Sequence, residues 1–98
     1  MDFEEVRDDF MSGNCSIKVH SVEEAEDALD FLKNATGKTN NAWRPSIWKS
    51  YPYIHYALTA GLITGSSTAY HRKIVLWCDL IGEYQDVEIR SEDIIGLI

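Results

Sequence analysis

One short motif restricts the fold of this chain more than any other. Ser21-Val22-Glu23-Glu24 has the spacing of a capping box, in which the Ser21 hydroxyl and the Glu24 carboxylate satisfy the first free amides of a helix. Apolar residues then recur at helical spacing, and acidic residues occupy the opposite face: the apolar set is Val22, Ala25, Ala28, Leu29 and Leu32. The sequence therefore predicts a helix that starts at residue 22 and ends near Asn34, with Gly37 as the breaker.

The remaining segments predict one more helix and several strands. Phe3, Val6 and Phe10 mark an amphipathic helix over residues 2–12. Alternating or continuous apolar residues predict strands at 15–20, 51–57, 61–65, 72–81 and 87–89. The unbroken apolar run at 74–78 is typical of a central strand. We expect a single α+β domain over residues 1–98, a mostly antiparallel sheet of four to five strands with two helices on one face.

Charge is segregated along the chain. Residues 1–30 hold ten acids and two bases, residues 31–78 hold six bases and no acid, and residues 79–98 hold six acids and one base. The middle block also contains eight of the eleven aromatic residues. The net charge of −7 argues against broad, non-specific binding to DNA or anionic lipid. The folded chain either pairs these charges on its surface or presents two patches of opposite sign.

The sequence contains no recognisable signal peptide or membrane helix. The acidic start lacks the basic and apolar regions of a signal peptide, and no apolar run is long enough for a membrane helix. Cys15 and Cys78 are interpreted as reduced thiols, so we expect a cytoplasmic protein.

Catalytic and cofactor motifs are also not apparent. The spacing of His20, His55 and His71 fits no metal site, and the Gly61–Gly65 segment lacks the lysine of a phosphate loop. His55 and His71 could meet as an acid–base pair, but no motif supports that pairing. We therefore expect no enzyme activity, no cofactor and no metal.

The acidic helix faces suggest a contact with another protein. Carboxylates spaced along one helix face can match a basic surface and accelerate its capture. Trp43 and Trp48 would then anchor the contact as exposed aromatics. The predicted partner-binding residues are Glu23, Glu24, Asp27, Asp30, Trp43 and Trp48.

The central block supports a different interpretation, nucleic-acid or nucleotide binding. Cations and rings alternate there, a mixture that stacks bases and contacts phosphates. The residues for this alternative are Arg44, Lys49, Tyr51, Arg72 and Lys73.

The stretch from Ile17 to about Ile74 resembles a loose group of small phage and mobile-element proteins. Their pattern is a short strand, a Ser/Thr-x-Glu-Glu-Ala helix with a late Leu, a Gly, a Trp and two or three strands. The matching pieces are Ile17-Lys18-Val19, Ser21–Ala25, Leu29, Leu32, Gly37, Trp43, the strand at 51–56 and Leu62-Ile63-Thr64. The resemblance implies an accessory βαββ protein that inhibits or modulates a host or defence protein. A further functional alternative is an immunity protein that neutralises a toxin nuclease. Separately, the apolar segment Ile94–Ile98 fits either a contact between two copies of the chain or a buried final turn.

Overall fold

A computed structural model describes residues 3–82 of the chain. The elements follow the order α1 (Phe3–Met11), β1 (Cys15–Lys18), α2 (Val22–Thr36), a 3-10 turn η1 (Pro45–Ile47), β2 (Tyr53–Ala57), β3 (Leu62–Ser66) and β4 (Lys73–Leu76). A third helix, α3, starts at residue 77 and continues through residue 82. The predicted strand at 87–89 and the apolar end at 94–98 lie outside the described residues.

Helix α2 forms as its capping box predicts. The Ser21 hydroxyl accepts a hydrogen bond from the Glu24 amide at 3.0 Å, and the His20 amide donates to the Glu24 carboxylate at 2.9 Å. At the other end, Gly37 adopts a left-handed conformation with φ +71° and donates its amide to the Lys33 carbonyl. A left-handed cap favours glycine because a side chain there meets the backbone. The predicted start and breaker are both confirmed, with the helix two residues longer than expected.

The four strands within residues 3–82 form one mixed sheet in the order β3-β2-β1-β4. β2 pairs antiparallel with both β1 and β3, whereas β1 pairs parallel with β4. The prediction of an α+β fold with a largely antiparallel sheet is therefore confirmed in outline. The two-helix prediction is incomplete, since α3 adds a third helix within residues 3–82.

The predicted central strand at 72–81 is wrong in place and length. β4 covers only Lys73–Leu76 and, among the strands that the structure describes, lies at one edge of the sheet, where Ile74 is 50% exposed. From Trp77 the chain turns helical, and Trp77 and Leu80 are buried while Cys78 and Asp79 are exposed. A short apolar run suits a strand or a buried helix equally well, and here it supplies part of each.

The helices cover one face of the sheet, which we call the helix face. Ile17, Ile54 and Val75 share this face by register and belong to the main core. Phe10 of α1 reaches the Tyr56 ring with centroids 6.3 Å apart, and Phe31 of α2 meets Trp77 at 5.3 Å. These contacts fix α1, α2 and α3 to the same side of the sheet.

The connection between β3 and β4, residues 67–72, is called the strap. β3 ends beside Tyr53, at one end of the sheet. β4 starts beside Cys15, at the other end of the sheet and on the far side from β3. Ala69 in the strap is buried, yet it lies apart from the main core cluster. The strap therefore crosses the sheet face opposite the helices, where it covers Ser16 and His55.

Candidate functional site

The acidic face of α2 is made of Glu23, Glu26, Asp27 and Asp30, all exposed. The opposite side of the helix buries Ala25, Ala28, Leu29 and Leu32 in the core. Residues three and four positions apart lie on one side of a helix, so the four carboxylates share one surface about 10 Å long. None of the four forms an ion pair with another residue of the described segment 3–82.

Glu24 has a structural role rather than a place on this surface. Its carboxylate accepts the His20 amide and lies 3.6 Å from the His20 imidazole, and its own amide is bound by Ser21. Loss of such a cap costs about 1 kcal/mol of stability. Glu24 therefore stabilises the helix start, and its contact with a partner stays a prediction.

Trp43 is also removed from the predicted contact surface. It is only 1% exposed and belongs to the main core. The indole N–H donates to the Tyr51 carbonyl at 2.8 Å, and the Trp43 carbonyl accepts from the Asn41 amide at 2.7 Å. The ring lies over Gly65 on the helix face, where a Cβ atom on residue 65 would overlap it. Such a ring cannot anchor a partner without opening the core.

Trp48 occupies an intermediate position. It follows η1, is half-buried and packs against the core from outside. Its neighbours Ile47 and Tyr51 are more exposed than the indole itself. The exposed apolar side chains beside η1 are therefore the aliphatic Ile47 and the aromatic Tyr51.

The five residues of the nucleic-acid alternative are not brought together. Arg44, Lys49 and Tyr51 surround η1, and the following strand β2 starts beside Lys18. Arg72 and Lys73 lie at the opposite end of the sheet, where Lys73 pairs with Cys15 in the ladder. The Lys73 ammonium is 3.7 Å from the Asp9 carboxylate of α1. The structure thus divides the predicted basic patch into two separate groups.

A buried polar pair lies beneath the strap, and sequence reasoning did not find it. Ser16 is 0% exposed and His55 is 8% exposed, and neither the Ser16 hydroxyl nor the His55 Nδ1 atom has a hydrogen-bond partner among the described residues. Continuing the β1–β2 register by one residue from the Ile17–Ile54 pair places the two side chains opposite each other, on the sheet face away from the helices. A buried polar atom without a partner is costly, and such pairs often hold a water or a functional constraint.

The surroundings of His55 disfavour its charged form. Burial lowers its pKa, the positive charge of Arg72 lowers it further, and a backbone hydrogen bond with Tyr53 acts in the opposite direction. Cross-strand Ser16 and Thr64 are neutral, so no carboxylate of the described strands next to it offsets Arg72. The folded state therefore favours neutral histidine at this position.

We expect stability to fall in acid because of His55. A lowered pKa in the folded state means that the unfolded chain binds the proton more readily, so stability is complete above about pH 6.5 and declines as the pH falls below it. Urea unfolding midpoints measured between pH 5 and pH 8 should show this decline. His55→Gln should flatten it, whereas His71→Gln should keep it because His71 is exposed. A His55→Gln profile as steep as the parent profile would contradict the assignment.

Cys15 is not a reactive thiol. Burial and the nearby Asp9 carboxylate raise its pKa from 9.0 to about 11, with Lys73 partly offsetting them. The thiolate is the reactive form, so Cys15 stays protonated and inert at neutral pH. Cys78 is exposed. Within residues 3–82, no three histidine, cysteine or carboxylate side chains come close enough to hold a metal ion.

Within residues 3–82, none of the helices has the length and apolar character needed to cross a bilayer. No protein-family model, curated protein or solved structure matches this chain.

Proposed function

We propose that this protein is a non-catalytic binding protein whose acidic α2 face engages a basic surface on another protein. The observation that carries the proposal is the set of four exposed carboxylates on one rigid helix without a basic partner in the described segment. The resemblance of the sequence to small phage and mobile-element proteins supports an accessory role. In that role, binding blocks or redirects a host factor.

The position of the four α2 carboxylates suits the recognition of a basic surface on another protein. α2 is anchored through Ala25, Ala28, Leu29 and Leu32, so its outer face is presented on a fixed support. Two bases of the middle block lie close to α2, since Lys33 is in its last turn and Lys38 just beyond its end, and the other four lie around η1 and at the start of β4. None of them forms an ion pair with the α2 carboxylates in the described segment. Complementary charge at the rim of an interface mainly raises the association rate and makes binding sensitive to salt.

The first experiment is affinity capture from bacterial lysate with and without nuclease, followed by identification of the bound protein. A discrete protein that survives nuclease supports the proposal, and its identity separates a host factor from a toxin nuclease. Recovery that disappears with nuclease contradicts it and assigns binding to nucleic acid.

We expect Asp27→Gln with Asp30→Gln to slow association with the captured protein by roughly threefold to tenfold at low salt. These positions are chosen because they lie beyond the first turn, where Glu23 and Glu24 stabilise the helix end. Stopped-flow or surface-based kinetics at several salt concentrations would measure the rate and its salt dependence.

The matched control is Thr39→Lys with Asn40→Lys, at two exposed positions beyond the end of α2. Both double variants raise the net charge from −7 to −5, but only one removes charge from the acidic face. The proposal requires the α2 variant to slow association clearly more than the control. Equal effects would show that overall charge, rather than this face, governs binding.

A further inference from the structure

A cleft of about 290 Å³ lies where the strap meets the end of α1. Its walls are Gly13, Asn14, Tyr70, His71 and Arg72. This volume is just below the ~300–1,000 Å³ range typical of small-molecule sites, so the cleft suits one compact ligand.

Arg72 brings an unpaired positive charge to this cleft. Its Nε–H donates to the Gly13 carbonyl at 3.2 Å, which fixes the guanidinium against the α1–β1 turn. No carboxylate of residues 3–82 forms an ion pair with it, whereas the adjacent Lys73 is paired with Asp9. The remaining guanidinium N–H groups are arranged as a planar fork, which matches the oxygens of a phosphate or carboxylate.

Tyr70 brings an exposed ring to the same cleft. It is 69% exposed and has a φ of +54°, the single positive φ of a non-glycine residue in the described segment. A bulky side chain in the left-handed region costs roughly 1 kcal/mol or more, and such strain concentrates at functional sites. Glycine or asparagine would adopt this backbone conformation at lower cost. The turn alone therefore does not account for a tyrosine at this position.

We propose that the cleft binds a nucleotide, with its phosphate on Arg72 and its base stacked on Tyr70. The two groups line one cleft of suitable volume and supply the two interactions that a nucleotide needs, ionic and aromatic. The net charge of −7 opposes a long polyanion more than a single nucleotide. A free nucleotide and one nucleotide of a single strand share this chemistry. The site is separate from the acidic face of α2, so its test is independent of the protein-binding proposal.

The test is a calorimetric or NMR titration of the full chain with AMP at low salt, with adenosine and inorganic phosphate as separate arms. AMP should bind at concentrations below about 1 mM and more tightly than either fragment. Arg72→Gln should weaken AMP binding at least about tenfold. Lys38→Gln, which makes the same charge change at an exposed position just beyond the end of α2, should leave it unchanged. Absence of AMP binding, or equal losses in the two variants, would overturn the proposal.

The Tyr70→Gly variant separates the contribution of the Tyr70 ring to AMP binding from any effect of the substitution on stability. Glycine accepts the positive φ without strain, so the variant should be at least as stable as the parent in urea, yet bind AMP about tenfold more weakly. Phosphate binding as tightly as AMP, or unchanged AMP binding by Tyr70→Gly, would overturn the stacking role. A five-nucleotide strand that binds more tightly than AMP through Arg72 would assign the site to single strands, and weaker binding would assign it to free nucleotides.

Discussion

Replacing Gly65 with alanine is expected to destabilise the protein by about 3 kcal/mol, the upper end of the usual range for overpacking. A Cβ atom on residue 65 would overlap the Cδ1 and Nε1 atoms of Trp43. The indole has little freedom to move aside, because it is 1% exposed and its N–H is bound to the Tyr51 carbonyl at 2.8 Å. Urea unfolding followed by far-UV circular dichroism would measure the loss as a lower midpoint with an unchanged slope.

Gly82→Ala is the matched control for this substitution. Gly82 is helical, and no atom of residues 3–82 lies within 4 Å of the position that its Cβ would take. Alanine there should be neutral or slightly stabilising, since it has the higher helix propensity. Similar unfolding midpoints for the two variants would show that Trp43 does not pack on Gly65 as described.

The sequence predicts α2 well because its signals are local. The cap, the apolar spacing and the terminal glycine all fall within residues 21–37 and agree with one another. The same pattern places Glu23, Asp27 and Asp30 on the exposed side, and the structure leaves them there. This part of the candidate surface needs no information from distant segments.

The remainder depends on contacts between distant residues. The parallel pairing of β1 with β4 joins segments more than 50 residues apart, and no local pattern specifies it. The strap, and with it the burial of Ser16 and His55, follows from that pairing. Only the finished register places a serine and a histidine opposite each other beneath a connecting segment.

Trp43 shows how composition misleads. It lies in a polar segment beside Arg44, which favours an exposed ring in a basic surface. The signal that points the other way is Gly65, because a glycine inside a strand often marks the close approach of another group. The sequence interpretation treated Gly65 as the boundary of a strand, whereas the structure places it within β3.

Truncating Trp43 to alanine should cost about 3–5 kcal/mol, a large part of the stability of a small domain. The substitution empties the space above Gly65 and leaves the Tyr51 carbonyl without its indole donor. Urea unfolding measures the loss, and Trp48→Ala is the control, since Trp48 is half-buried and packs on the core only from outside. The stability loss of Trp43→Phe should lie between those of Trp43→Ala and Trp48→Ala, because phenylalanine keeps a ring but lacks the indole N–H donor. A loss for Trp48→Ala equal to that for Trp43→Ala would contradict the placement of Trp43 in the core.

The double variant Trp43→Ala with Gly65→Ala tests the contact itself. Once the indole is gone, the methyl group at residue 65 no longer overlaps anything, so adding it should cost little and should fill part of the cavity. The two losses should therefore be strongly non-additive, with a coupling of about 1–3 kcal/mol, as expected for residues in direct contact. Additive losses would mean that each residue acts through other neighbours, and the position of Trp43 over β3 would have to be abandoned.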